Sequence, residues 1–246
     1  MAESPTTWIA GVDGCPGGWL VVLRSVDSDA APRALIAPTF AEVLALPEAP
    51  RIIAVDMPIG LPERSGIGGR AADIAARSRL GARQSSVFAV PARAAVMATD
   101  YREACAIALA HSDPPRKVSK QTFNIFAKIR EVDRLMTPAL QDRVVECHPE
   151  TAFWAMNGEA PLDAPKKVKS RPHPPGLAFR RKLLAATGLP PAFLETRFRS
   201  SDAGPDDLLD ACACAWTALR VLAGTAHRFP ETPPLDAQGL RQEIWA

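Results

Sequence analysis

Trp8-Ile9-Ala10-Gly11-Val12-Asp13 and Arg51-Ile52-Ile53-Ala54-Val55-Asp56 are two short apolar runs, and each ends in aspartate. Runs of this length and β-branched content read as strands. Aspartate is depleted in strands, and an unpaired buried carboxylate is costly, so an Asp closing such a run either caps a turn or faces a site. If the two strands are parallel neighbours, both acids emerge at the carboxyl edge of the sheet, where open α/β folds place their ligands.

The chain between and around these runs fills in the architecture. Gly14-Cys15-Pro16-Gly17-Gly18 is turn chemistry, Trp19 to Leu23 is a second strand, and Arg33 to Ala37 a third, which together make an antiparallel meander. Phe40 to Leu46 reads as a short helix that Thr39 can cap. Met57-Pro58-Ile59-Gly60-Leu61-Pro62 cannot continue a central strand, because proline brings no ladder donor. The order β-β-β-α-β predicts an α/β mixed sheet, antiparallel meander plus parallel strands, with helices on both faces.

From Glu63 to about Gln141 the pattern is mostly helical and too long for a simple crossover. Residues 63–141 are therefore expected to be a helical insertion within one domain spanning 1–246. Arg143 to Glu150 reads as another short strand rich in acids, and Ala164 to Pro175, with its Pro and Lys, as a mobile loop. Leu177 to Thr187 is helical, and a last long helix opens near Pro205-Asp206-Asp207 and runs to about Ala223.

Composition limits the function classes. Hydrophobic residues make up 47% and charged residues 23% of the 246, the balance of a globular chain. The most apolar stretch, Leu208 to Gly224, contains Asp210 and Arg220 and is no membrane span. Met1-Ala2-Glu3-Ser4-Pro5 lacks the basic and apolar regions of a leader, so a cytoplasmic location is expected. Cys15, Cys105, Cys147, Cys212 and Cys214 show no CxxC spacing and read as reduced core residues. Net charge is only +2, yet Arg64 to Arg134 holds thirteen Lys or Arg against six acids, and Lys166 to Arg199 nine against Glu195 alone. Basic segments flanking acidic motifs suit a polyanionic substrate with metal ions at the chemistry, and equally suit solvated helix faces.

The acids supply the chemistry. Asp207 and Asp210, three apart, share one face of a helix, with Leu208, Leu209, Cys212 and Trp216 on its packing side. Dipole stabilisation accounts for Asp206 and Asp207 but less well for Asp210, which lies beyond the first turn. Glu146 closes a further strand. Carboxylates that converge repel one another unless divalent cations supply charge, and oxygen-only ligands suit Mg2+ or Mn2+. Two such ions activate a water and stabilise the leaving oxygen of a phosphodiester.

Strand-Asp, turn, strand, strand, helix, strand-Asp and a late helix with Asp-x-x-Asp resemble the ribonuclease-H fold. The pair Asp207 and Asp210 followed by Ala211 resembles the Holliday-junction resolvases of that superfamily. The phrases Gly11-Val12-Asp13-Gly14-Cys15-Pro16-Gly17-Gly18-Trp19, Val55-Asp56-Met57-Pro58-Ile59-Gly60-Leu61, Glu146-Cys147-His148-Pro149-Glu150 and Asp206-Asp207-Leu208-Leu209-Asp210-Ala211 are more specific. With Ser85-Ser86-Val87-Phe88 and Ser119 to Asn124, they resemble an uncharacterised family classed as predicted nucleases of ribonuclease-H-like fold. That resemblance implies a metal-dependent nuclease acting on DNA or RNA. Asp13, Asp56, Asp207 and Asp210 would be metal ligands, and Glu146 a further catalytic carboxylate. Arg83, Ser86, Lys120 and Gln121 would contact phosphate. His148 reads as a neutral packing residue rather than a general acid or base.

Two other classes stay open. A phosphotransferase or ATPase of actin type shares the fold, but its phosphate loop would fall at Gly14 to Gly18, which carries Cys15 and Pro16 and no hydroxyl. Gly66-Ile67-Gly68-Gly69 lacks the Gly-Lys-Ser/Thr of a P-loop. A non-catalytic nucleic-acid or ligand-binding module is the second alternative, although every expected position keeps its acid. Serine hydrolysis has no GxSxG elbow to support it.

Overall fold

A computed structural model of the chain describes residues 6–169 and 171–246; the Met1 to Pro5 segment read above for a leader lies outside them. The meander forms from β1 (Trp8–Cys15), β2 (Gly18–Ser25) and β3 (Arg33–Ala37). A two-residue turn at Pro16-Gly17 joins β1 to β2, with Cys15 opposite Gly18. Helix α1 (Phe40–Leu44) follows, its Thr39 hydroxyl accepting from the Glu42 amide as a cap. Then β4 (Ile53–Val55) pairs parallel with β1.

Between β4 and the next strand the chain forms α2 (Ala71–Arg77), a short 3-10 turn at Gly81–Ser86, α3 (Arg93–Met97), α4 (Tyr101–Ala110), α5 (Lys120–Asn124) and α6 (Phe126–Leu135). Strand β5 (Val144–Glu146) then adds parallel to β4, giving the order β3-β2-β1-β4-β5 in a five-stranded sheet. This is the mixed sheet of a ribonuclease-H-like α/β fold.

The later chain departs from the expected pattern at two places. Arg143 to Glu150 is not one strand: β5 stops at Glu146, and α7 (Pro149–Met156) begins with proline in its first turn, where the missing amide costs nothing. Ala164 to Pro175 is not simply a loop: it holds a short antiparallel pair, β6 (Lys167–Val168) and β7 (Arg171–Pro172), and the start of α8 (Pro174–Ala186). Proline content misleads there because Pro174 and Pro175 open a helix rather than break one. Helix α9 (Pro191–Leu194), α10 (Asp207–Leu222) and the small pair β8 (Arg228–Phe229) and β9 (Ile244–Trp245) complete the chain. Among the described residues no helix is long and apolar enough to cross a membrane.

The sheet is apolar on both faces, and its alternation sorts the two cores. Ala10, Val12, Val21, Leu23, Ile53 and Val55 face a cluster containing Phe40, Val96, Phe126 and Ile129 from α1, α3 and α6. Ile9, Leu20, Val22, Ala54, Val145 and Cys147 face the other way, onto Phe153, Leu184, Leu208 and Cys212 from α7, α8 and α10. Each fully buried aliphatic side chain contributes about 1.5–3 kcal/mol, so both layers lock the register. All five cysteines are buried and free.

Candidate functional site

Strand register brings the first two acids together. Val12 pairs with Val55, and the Asp56 amide donates to the Val12 carbonyl at 2.9 Å, so Asp13 and Asp56 leave adjacent strand ends on the same face. That face is the one covered by α10, whose Asp210 is 2% exposed. Asp13 is also buried. The three carboxylates and Asp207 line one cavity of about 560 Å³.

Burial and mutual repulsion shape the charge state of this cluster. Burial raises Asp13 well above the usual carboxylate range, and Asp56, Asp210 and Asp207 raise it further. Asp56 is pushed up to about 6 by burial, with Lys166 pulling against the shift. Asp210 is pushed up to about 7, again by burial first and against Lys166. At an effective dielectric constant near 20, like charges 4 Å apart cost about 4 kcal/mol, so the cluster needs positive charge to ionise fully.

A side chain supplies part of that charge. The Lys166 ammonium forms an ion pair with Asp210 and lies 3.8 Å from Asp206, while Lys167 pairs with Asp206 at 2.7 Å. Asp210, Asp13 and Asp56 together hold Lys166 protonated against the opposing effect of its burial. The two helix acids divide their roles. Asp207 caps the turn before α10, accepting from the Gly204 amide at 2.7 Å. Asp210 reaches inward, and its second oxygen is buried without a partner.

Glu146 lines the same cavity but leaves the sheet on the other face. It pairs with Val55 in the sheet, which places it on the opposite face from Asp13 and Asp56. Its oxygens accept from Arg70 at 2.6 and 2.8 Å and from the Ile59 amide at 2.7 Å. Arg70 also pairs with Asp73 at 2.7 Å, and all of its side chain is buried. The group is a strut that ties α2 to the end of β5, and Arg70, Asp73 and Glu146 form part of the wall of the same cavity.

The expected phosphate contacts separate in the same way. Arg83 and Ser86, on the Gly81–Ser86 turn, line the cavity, and the Arg83 Nε is buried without a partner. Gln121 lines it too, together with Asn124, which falls three residues on along the same helix face. Lys120 does not; its ammonium sits 4.5 Å from the Tyr101 ring centre and 5.0 Å from that of Phe123. Aromatic faces attract that ammonium, which spacing along the chain cannot reveal. His148 caps α7: Nδ1 accepts from the Glu150 amide and Nε2 donates to the Ser86 carbonyl, both at 3.2 Å. Burial lowers its pKa, so the ring is neutral with both nitrogens engaged.

Sequence reasoning missed Lys166, Lys128 and the Arg70 strut. Lys128 lines the cavity from α6, with its ammonium donating to the Gly18 carbonyl and lying 4.5 Å above Trp19. The basic bias of residues 166–199 was the only signal for Lys166.

An oxygen-only donor set with unshared acceptors suits Mg2+ or Mn2+. Asp13, Asp56 and the free oxygen of Asp210 fit such an ion by chemistry. Among the described residues, however, no group of three or more His, Cys, Asp or Glu side chains is gathered closely enough to hold a metal ion as the side chains stand.

The mixed sheet, its paired strand-end acids and the closing helix define a ribonuclease-H-like α/β protein. The chain belongs to the family described as protein of unknown function (DUF429), whose model matches residues 11–235. No curated protein and no solved structure matches it.

Proposed function

We propose that the protein hydrolyses phosphodiester bonds of nucleic acid with the help of Mg2+ or Mn2+. The observation that carries this reading is the convergence of Asp13, Asp56 and Asp210, from two adjacent strand ends and one helix, on a single cavity. Bound divalent ions would supply the Lewis acidity that activates water and stabilises the leaving oxygen. Asp13, Asp56 and Asp210 would hold them. Arg83, with an unpartnered nitrogen at the cavity wall, would take a phosphate oxygen, and Gln121 and Asn124 would add neutral donors.

The chain carries few aromatics, 6% in all, so recognition through phosphate and shape is favoured over stacking. The Pro16-Gly17 turn after β1 offers one amide fewer than a phosphate loop needs, which disfavours an ATP-dependent reading.

The test is a calorimetric titration of Mn2+ and Mg2+ into the wild type and Asp13→Asn, alongside cleavage of a panel of single-stranded, duplex and branched DNA and RNA. Saturable metal binding and metal-dependent cleavage, both lost in Asp13→Asn, are expected. A wild type that binds no divalent metal and cuts no member of the panel defeats the proposal and leaves a ligand-binding module.

A further inference from the structure

The acid cluster already contains a cation, and the backbone around that cation is held in place. The Lys166 carbonyl accepts from the His173 amide at 2.8 Å. The Pro165 carbonyl lies 3.1 Å from His173 Nδ1 and closes against Gly176, where a Cβ would stand 1.9 Å from it. Arg180, fully buried, donates to the Ala164 carbonyl at 3.0 Å and pairs with Glu150. Three consecutive residues, Ala164, Pro165 and Lys166, are thus pinned to α8. The exposed strands β6 and β7 begin only after them.

An ammonium on a pinned backbone has a short reach. It swings on its own four-carbon stem and cannot leave with a moving loop. At Asp210 it also feels the Asp13 and Asp56 carboxylates, the same groups that would ligate a metal ion. A divalent ion bridging all three would have to share or take that position.

We propose that Lys166 is a tethered cation that permanently fills one cation position of the carboxylate cluster, so that the site takes one divalent ion fewer than its acids could hold. The inference rests on the metal reading given above. It identifies Lys166 as the residue that sets metal count and affinity, and Asp210 as the carboxylate it withholds. The unpartnered second oxygen of Asp210 is then the atom left for the ion that does bind.

The test is Mn2+ stoichiometry, measured by calorimetry and by the electron paramagnetic resonance of bound Mn2+ on the intact protein. The variants are Lys166→Met, Lys166→Arg and Lys167→Met, each checked for folding by thermal melting. Lys166→Met is expected to bind one Mn2+ more than the wild type, or to bind the same ion on the order of tenfold more tightly. Lys166→Arg keeps a positive charge on the tether and should behave as the wild type. Lys167→Met removes the nearer of the two cations at Asp206 and should not change the count.

Should Lys166→Met unfold, Lys166→Arg and Lys166→Gln carry the comparison, with the extra ion expected for Gln alone. Equal count and affinity in wild type and the neutral variants, with Asp13→Asn still abolishing binding, overturns this inference and leaves the proposed function standing. Absence of bound Mn2+ in every variant overturns both.

Discussion

Gly11 and Ala211 meet backbone against backbone: a Cβ on Gly11 would stand 2.1 Å from the Ala211 carbonyl oxygen and 2.0 Å from the Ala215 amide nitrogen. Strand β1 and helix α10 therefore touch without any side chain between them. Asp13 lies two residues beyond Gly11 on the same strand face, and Asp210 directly precedes Ala211. The contact is what sets the two acids at one place. Gly11→Ala should push α10 off the sheet and cost about 3 kcal/mol, read as a lower urea midpoint, and it should weaken Mn2+ binding as well. A variant with unchanged midpoint and metal affinity would show that the contact is slack.

Burying Arg70 between Glu146 and Asp73 makes it a strut, and struts fail when one member is removed. Arg70→Met leaves two buried carboxylates without their partner and should cost about 3–5 kcal/mol in chemical denaturation. Glu146→Gln keeps the shape and the Ile59 hydrogen bond, so it should cost less. Because Glu146 lies on the other sheet face, Glu146→Gln should leave Mn2+ affinity near that of the wild type, whereas Asp13→Asn should abolish it. Equal loss of metal binding in both variants would return Glu146 to the cluster.

The difference between Glu146 and Asp13 also marks what the sequence allowed. A strand ending in aspartate is legible because composition and position conflict there, which exposes Asp13 and Asp56, while Asp210 is legible from its three-residue spacing to Asp207 on one helix. Glu146 ends a strand too, but its face depends on pairing with Val55, and a one-residue difference in register inverts the face. Register comes from long-range packing. Lys166 escaped for a related reason: its Pro- and Lys-rich surroundings resemble a loop, and the contacts pinning it come from Arg180, His173 and Gly176 on α8. The meander, by contrast, depends on turn chemistry local to Gly14–Gly18, and the central strands on continuous β-branched runs, both of which the chain states openly.

Acid titration should report the cluster directly. Asp56 is raised to about 6 and Asp210 to about 7, against about 3.9 in an unfolded chain. Between pH 4 and 7 the folded state therefore binds these protons more tightly than the unfolded state. Their contribution to stability is full below about pH 4 and is lost as pH rises through the folded values. In metal-free protein, wild-type stability relative to Asp210→Asn should fall as pH rises across that window. If the proposed metal site forms, saturating Mn2+ would bind the ionised acids and should recover stability above pH 7. A wild-type minus variant difference that stays flat, measured by urea unfolding from pH 4 to 8, would contradict the buried, mutually repelling cluster.

Arg83 and Lys120 give the sharpest contrast among the basic residues, because the sequence treats them alike. Arg83 stands at the cavity wall with its Nε buried and unpartnered, while the Lys120 ammonium rests on Tyr101 and Phe123 outside the lining. A guanidinium with free donors gains charge-assisted hydrogen bonds from a phosphate, and it releases a counterion from the polyanion when it does so. In fluorescence anisotropy with a labelled oligonucleotide, Arg83→Ala should weaken binding and lower the slope of log affinity against log salt by about 1. Lys120→Ala should leave both nearly unchanged and instead lower thermal stability slightly, through the lost contact with the two rings. Equal effects of the two substitutions on the salt slope would mean that nucleic acid runs over the α5 surface rather than into the cavity.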